Sequence, residues 1–110
     1  MRRDVIYSME YLKFIEKLSE RAKEKLRYAT IILETLNPVP AKFVKKLVNT
    51  DFYELRISVD NELRIILFSA DNENINLSKQ IIFLNGFVKK STKDYSTEID
   101  KAADILNKML

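Results

Sequence analysis

The sequence predicts an α+β domain in which helices pack against a small twisted antiparallel sheet, with a further helix closing the chain. Three observations carry that expectation. Apolar residues near the start recur at helical spacing, at Tyr11, Phe14, Ile15 and Leu18. In the second half the period falls to two: Tyr53, Leu55, Ile57 and Val59 alternate with Glu54, Arg56 and Ser58. The last segment returns to helical spacing, with Ile99, Ala102, Ala103, Leu106 and Met109 on one face.

In order along the chain, Asp4 to Ser8 reads as a short first strand, and Ser8 can cap the helix that follows. A second helical stripe runs through Ala22, Leu26, Ala29, Leu33 and Leu36, and Ser19 marks an interruption. The two stripes form a helical hairpin or one kinked helix. Asn37-Pro38-Val39-Pro40 stops the run, because proline lacks a backbone donor and restricts the residue before it. Ala41 to Val48 allows one short helix with Phe43, Val44 and Leu47 inward. Leu63, Ile65 and Leu67 continue the strand period, so residues 53–67 read as a hairpin about Asp60-Asn61. Lys79 to Val88 is apolar on both sides and reads as a central strand, reached by a polar, mobile connection from Asp71 to Ser78. The closing helix spans roughly Ser96 to Leu110, capped by Asp94 or Ser96. One domain over residues 1–110 accommodates all of this, with no internal repeat.

Burial decides the hairpin's faces. A two-residue turn would pair Val59 with Glu62 and mix apolar with charged residues. Pairing Val59 with Leu63 keeps Leu55, Ile57, Val59, Leu63, Ile65 and Leu67 on one face, since a slip of one residue reverses a strand. The loop is then Asp60 to Glu62, and Arg56 and Arg64 emerge together on the opposite side of the sheet.

Composition excludes several chemistries. The 110 residues contain no cysteine and no histidine, so neither a Ser-His or Cys-His nucleophile nor a zinc site of the usual kind can be built. Asp71-Asn72-Glu73-Asn74 is the best carboxylate cluster, but it lacks the glycine and distal glutamate of a calcium loop and reads as a turn. No metal and no cofactor is expected. One glycine, Gly86, cannot make a phosphate loop; it reads as a bulge or a tight approach. No apolar run reaches the roughly 18 residues of a membrane span, and no signal peptide is evident, so the expected compartment is the cytoplasm. Net charge is +3, compatible with a nucleic-acid partner.

The richest stretch is Phe87-Val88-Lys89-Lys90-Ser91-Thr92-Lys93-Asp94-Tyr95, where the central strand ends in three lysines and a tyrosine. With Tyr53-Glu54-Leu55-Arg56, Arg64-Ile65, Glu98-Ile99 and Ala102, it resembles the RelE/HigB toxin superfamily, closest to its phage-derived, Gp49-like HigB branch. That pattern runs Glu-Leu-Arg, a second Arg, then Phe-x-Lys-Lys-Thr-x-Lys-x-Pro-x-x-Glu-Ile-x-x-Ala, matched over roughly residues 43–103. Here Ser91 and Asp94 replace common threonines, Tyr95 stands where proline is usual and Ile105 where arginine is frequent. In RelE itself a tyrosine after the basic strand end takes part in cleavage, and Tyr95 is similarly placed.

The resemblance implies a RelE-like fold and a type II toxin that cuts messenger RNA on the ribosome. Implied partners are a cognate antitoxin, helix-turn-helix and DNA-binding, together with the ribosome and its message. In such a metal-independent endoribonuclease the RNA's own 2′-hydroxyl attacks. Arg64 first, with Arg56 beside it, suits the phosphorane, because a guanidinium fork matches phosphate oxygens. Cations around Lys89, Lys90 and Lys93 lower a lysine's pKa, so one of these lysines or Tyr95 can move a proton. Tyr95 can instead stack on an unpaired base. The expected catalytic set is Arg64, Lys89, Lys90 and Tyr95; the RNA-binding set is Arg56, Lys93, Lys45 and Lys46, the last two on an exposed helix face. Two other functions suit the fold: a ParE-like gyrase inhibitor, and a catalytically inactive partner of a DNA-binding antitoxin.

Overall fold

The computed structural model describes residues 2–110. Along the chain run β1 (Asp4–Tyr7), α1 (Met9–Glu16), α2 (Glu20–Thr35), β2 (Val44–Lys46), β3 (Phe52–Val59), β4 (Asn61–Ser69), β5 (Gln80–Val88) and α3 (Asp94–Met109). The strands form one sheet in the order β1-β5-β4-β3-β2. Only the β1–β5 pairing is parallel; the others are antiparallel. The α+β arrangement read from the periodicity is the one observed.

The helices divide because two serines cap them. Ser8 Oγ accepts from Tyr11 N at 2.9 Å, and Ser19 Oγ accepts from Ala22 N at 3.1 Å. Each satisfies a backbone donor that the first helical turn leaves open. The second cap makes a hairpin of two helices rather than one kinked helix. Both lie on one side of the sheet, where Tyr11, Leu26, Ala29 and Leu33 meet Leu55, Ile57, Ile65, Leu67, Ile81 and Phe83. On the other side α3 lays Ala102 and Ile105 over Phe52, Ile66, Ile82, Leu84 and Phe87.

The β3–β4 register keeps the faces and moves the turn. Val59 pairs with Asn61 around Asp60, whose φ of 59° lies in the left-handed region that aspartate tolerates. The expected partner of Val59 was Leu63. The two registers differ by two residues, so both leave the same side chains inward; burial cannot separate them, and the turn does. Arg56 and Arg64 therefore stand directly opposite each other on one face.

Three further expectations are overturned. Residues 41–48 hold no helix: a turn at Ala41–Phe43 leads into strand β2, with Val44 opposite Leu55. Val44 and Leu47 are buried as expected, but in opposite cores, one on each side of the sheet. The outer edge of β3 supplies backbone partners that an isolated helical turn would lack. Second, α3 starts at Asp94, not Ser96, and no side chain caps it. Asp94 accepts instead from Lys90 N at 2.9 Å and Ser91 N at 3.1 Å, which closes the preceding loop. Third, the connection from Asp71 to Ser78 is tied down. Asp71 accepts from the Ser78 hydroxyl and from the backbone of Lys79 and Gln80, the last two at 3.0 and 3.1 Å. Those bonds, led by the Ser78 hydroxyl, hold the Asp71 carboxyl at a pKa of about 2.

Arg3 fastens three parts of the chain and is fully buried at 0% exposure. Its guanidinium donates to Leu33 O, Leu36 O and Ile75 O at 3.0, 2.7 and 3.0 Å, to Asn76 O at 3.2 Å and to Asn37 Oδ1 at 3.1 Å. A cation thus faces the carbonyl end of α2, where no other basic residue lies in the last turn. We predict that Arg3→Met, which keeps the length but strips five donors, lowers unfolding free energy by about 3 kcal/mol in urea titration. Asp71 gives a pH test. Its folded pKa is depressed from 3.8 to about 2, so its contribution is present above pH 4 and fades as pH falls from 4 to 2. The midpoint gap between wild type and Asp71→Asn in thermal melts should be widest near pH 6 and close towards pH 2.

Candidate functional site

On the α3 side the sheet face is split. Its apolar part lies under the helix, and its polar part is Lys45, Glu54, Arg56, Glu62, Arg64 and Lys89 at the hairpin end of β3 and β4. A register shift in β5 sets this pattern. Ile65 pairs with Gly86 but Leu67 pairs with Phe83, so β5 carries one extra residue between them. Beyond that bulge the alternation is reversed, which brings Phe87 and Lys89 to the side of Arg64. Gly86 faces α1, and a Cβ there would stand 2.3 Å from the Phe14 ring. Only glycine fits, so the tight approach is the expected role that the structure bears out; Gly86 itself is regularly paired with Ile65, and the bulge lies just before it.

At the centre is Arg64, its side chain 4% exposed. Nε donates to the Tyr95 hydroxyl at 3.1 Å, and Nη1 donates to Leu63 O at 2.9 Å. Glu54 Oε1 lies 4.0 Å from Arg64 Nε and 3.6 Å from Arg56 Nε, so one carboxylate sits between two guanidiniums. Glu62 Oε2 flanks Arg64 Nη1 at 3.7 Å. A hydrogen bond from Ser58, with the positive charges of Arg64, Lys89 and Arg56, holds the Glu62 carboxyl below the usual carboxylate range. Arg56 is the open member of the pair, its side chain 38% exposed.

Tyr95 closes the site from α3. Its ring meets Phe87 edge-on at 5.4 Å, and Lys89 Nζ lies 5.7 Å from its centroid. Burial raises the phenol's pKa; the Glu54 carboxylate adds to the rise and Arg64 opposes it. The phenol is therefore protonated at neutral pH.

The structure gathers Arg56, Arg64, Lys89 and Tyr95, with Lys45 directly across from Glu54 on the strand edge. It sets three other expected residues apart. Lys90 and Lys93 are exposed on the loop before α3. Lys46 points to the opposite face, over the Tyr53 ring at 5.6 Å. Lys45 and Lys46 part company because neighbouring residues in a strand face opposite ways. Among the described residues no three Asp or Glu side chains could hold a metal ion, and the segment Asp71–Asn74 is a hydrogen-bonded turn.

Residues 13–107 match the family model described as phage-derived protein Gp49-like. The chain belongs to the Gp49-like family. This is a family related to RelE/HigB toxins. The match begins inside α1 and ends inside α3, so it extends well before the first motif residues. No sequence matched in a search of curated proteins. Among the described residues of this Gp49-like chain, no helix is long and apolar enough to cross a membrane.

Sequence reasoning missed Glu54 as a site residue. The Glu-Leu-Arg run was read for its arginine; the structure shows Glu54 4% exposed, paired with Arg56 at 3.6 Å, and its Oε2 without a hydrogen-bond partner. The signal was available: strand period places Glu54 on the face of Arg56, flanked by Phe52. Removing this carboxylate leaves two facing guanidiniums uncompensated. Glu54→Leu should cost about 3 kcal/mol in urea unfolding, and Glu54→Leu combined with Arg64→Met should cost clearly less than the two single changes added. Additive costs would show that the pair is not coupled.

Proposed function

We propose that this protein is the toxin of a type II toxin–antitoxin pair and an endoribonuclease that cleaves messenger RNA on the ribosome, in the cytoplasm. The carrying observation is the cluster at the hairpin end: Arg56 and Arg64 opposite each other, Glu54 between them, and Tyr95 hydrogen-bonded to Arg64. Membership of a family related to RelE/HigB toxins supports the same reading. The partners in this reading are a DNA-binding antitoxin, the ribosome and its message.

The chemistry follows from what each side chain can do. A phosphate oxygen entering beside Arg56 competes with Glu54 and Tyr95 for the guanidinium donors, because it accepts the same forked hydrogen bonds. Taking over Arg64 Nε releases the Tyr95 hydroxyl and loosens the ion pair to Glu54 Oε1, leaving Glu54 with its partnerless Oε2 free to accept a proton. The 2′-hydroxyl gives its proton to that oxygen and attacks the adjacent phosphorus. The two guanidiniums stabilise the charge that gathers on the phosphorane oxygens. Tyr95, held as a neutral phenol, donates its proton to the departing 5′-oxygen. The products are a 2′,3′-cyclic phosphate and a 5′-hydroxyl, Lys89 offsets the charge on the tyrosinate, and solvent then takes the proton from Glu54 and returns one to Tyr95. No metal takes part in this scheme.

The test is a purified translation system programmed with a defined message, with new RNA ends mapped by primer extension. Wild-type protein should produce cuts only on translating ribosomes. Arg64→Ala should abolish them, and Tyr95→Phe, which keeps the ring against Phe87, should slow cleavage about 10²- to 10⁴-fold. Lys46→Ala, on the opposite face, should cut at the wild-type rate. Intact message together with trapped gyrase–DNA complexes would sink the nuclease reading in favour of the gyrase inhibitor.

A further inference from the structure

A cleft of about 580 Å³ opens beside the arginine pair and runs away from Tyr95, over the outer edge of β3. It exists because β2 is short. Strand pairing with β3 ends at Val44 and Leu55, and one further bond, Arg56 N to Phe43 O at 2.7 Å, ends the coverage. Beyond it the edge from Ile57 to Val59 has no strand beside it. Helix α2 and the turn before β2 form the far wall.

The lining is basic and aromatic. Lys25 and Lys42 join Arg56 and Arg64, against Glu62. Lys25 donates to Ser58 O, which fixes its ammonium at the strand edge. Tyr28 is 60% exposed, its ring set edge-on to Phe43 at 6.4 Å. Lys42 Nζ lies 5.1 Å from the Phe43 centroid on the same wall. Cations spaced along a groove, with an exposed ring among them, match the alternation of phosphate and base in a single strand. A duplex does not fit, because its bases are stacked inside and cannot reach a ring.

We propose that this cleft holds the single-stranded RNA next to the scissile phosphate, with one unpaired base stacked on Tyr28 and the neighbouring phosphates neutralised by Lys25 and Lys42. The identity of the occupant rests on the nuclease reading; the cleft itself rests on Tyr28, Phe43 and the lysines. None of these residues is part of the cleaving cluster, so binding and cleavage are separable.

The experiment measures fluorescence anisotropy of labelled 2′-O-methyl oligonucleotides, which cannot be cut, on the intact protein. Six-nucleotide single strands should bind, and a blunt duplex of the same sequence should bind much more weakly. Tyr28→Ala should weaken single-strand binding roughly 5- to 150-fold, the loss expected for one stacked base. Tyr28→Phe should restore it, since stacking needs the ring and not the hydroxyl. Lys42→Ala should reduce the slope of log affinity against log salt by about 0.7. Thermal melts of each variant should match wild type, because Tyr28 and Lys42 are exposed.

Unchanged binding in Tyr28→Ala overturns the proposal. So does failure of the six-nucleotide strand to bind, and so does preferential binding of a hexaglutamate peptide, which would assign the cleft to an acidic protein segment. Parallel cleavage assays on ribosomes keep the two ideas apart. Cleavage that needs Arg64, with binding indifferent to Tyr28, leaves the nuclease and removes the cleft. Tyr28-dependent binding by a protein that cuts nothing does the reverse.

Discussion

Two guanidiniums directly opposite each other across a β-hairpin are an unfavourable arrangement, since like charges on paired strands repel at short range. Much of the surrounding structure offsets that repulsion. Glu54 lies between Arg56 and Arg64, Glu62 and the Leu63 carbonyl take the other side of Arg64, and the Tyr95 hydroxyl accepts from its Nε. Every one of these partners is an acceptor that a phosphate oxygen can imitate. The resting state thus holds the arginines by the same kind of interaction that substrate would offer. The orphaned oxygen of Glu54 and the raised pKa of Tyr95 are consequences of this crowding, because Glu54 is buried and Tyr95 half-buried beside charge rather than fully solvated.

Such a cluster needs a rigid frame, and the frame comes from places far from it. The bulge in β5 turns Phe87 and Lys89 to the correct side, and Phe87 then presents its ring to Tyr95. Asn85, beside the bulge, donates to Glu98 O at 3.1 Å and to Glu98 Oε1 at 3.0 Å, so it ties α3 to the strand one turn after Tyr95. On the reverse side the Phe14 ring occupies the space a side chain at position 86 would need. The position of Tyr95 over Arg64 is therefore the sum of a bulge, an amide clamp and a missing side chain. Arg3 and Asp71 do equivalent work for the distant corner, where they anchor the turn that feeds β5.

How much of this could be read beforehand varied by element. The pairing faces of Arg56 and Arg64 followed from burial alone, because the period of a strand is two and the alternation was unambiguous. The turn did not, because a shift of two residues leaves every side chain on its own face. Residues 41–48 misled for a related reason: Phe43, Val44 and Leu47 satisfy a helical face as well as they satisfy a strand and its flanks, and only the open edge of β3 decides between them. Lys89 was drawn into the cluster while Lys90 and Lys93 were left on the loop, a distinction invisible in a run of basic residues.

By itself the sequence determined the fold class, the interior place of the last strand, the shared face of two arginines and the kinship carried by its motifs. These depend on periodicity and residue type, which are local properties. Only the tertiary structure decided that Glu54 is a buried bridge, that Tyr95 reaches Arg64, that Lys45 and Lys46 part, and that a basic cleft opens towards Tyr28. Each of those turns on where separate elements meet, and such meetings are set by a bulge, a turn and the length of an edge strand that no local pattern encodes.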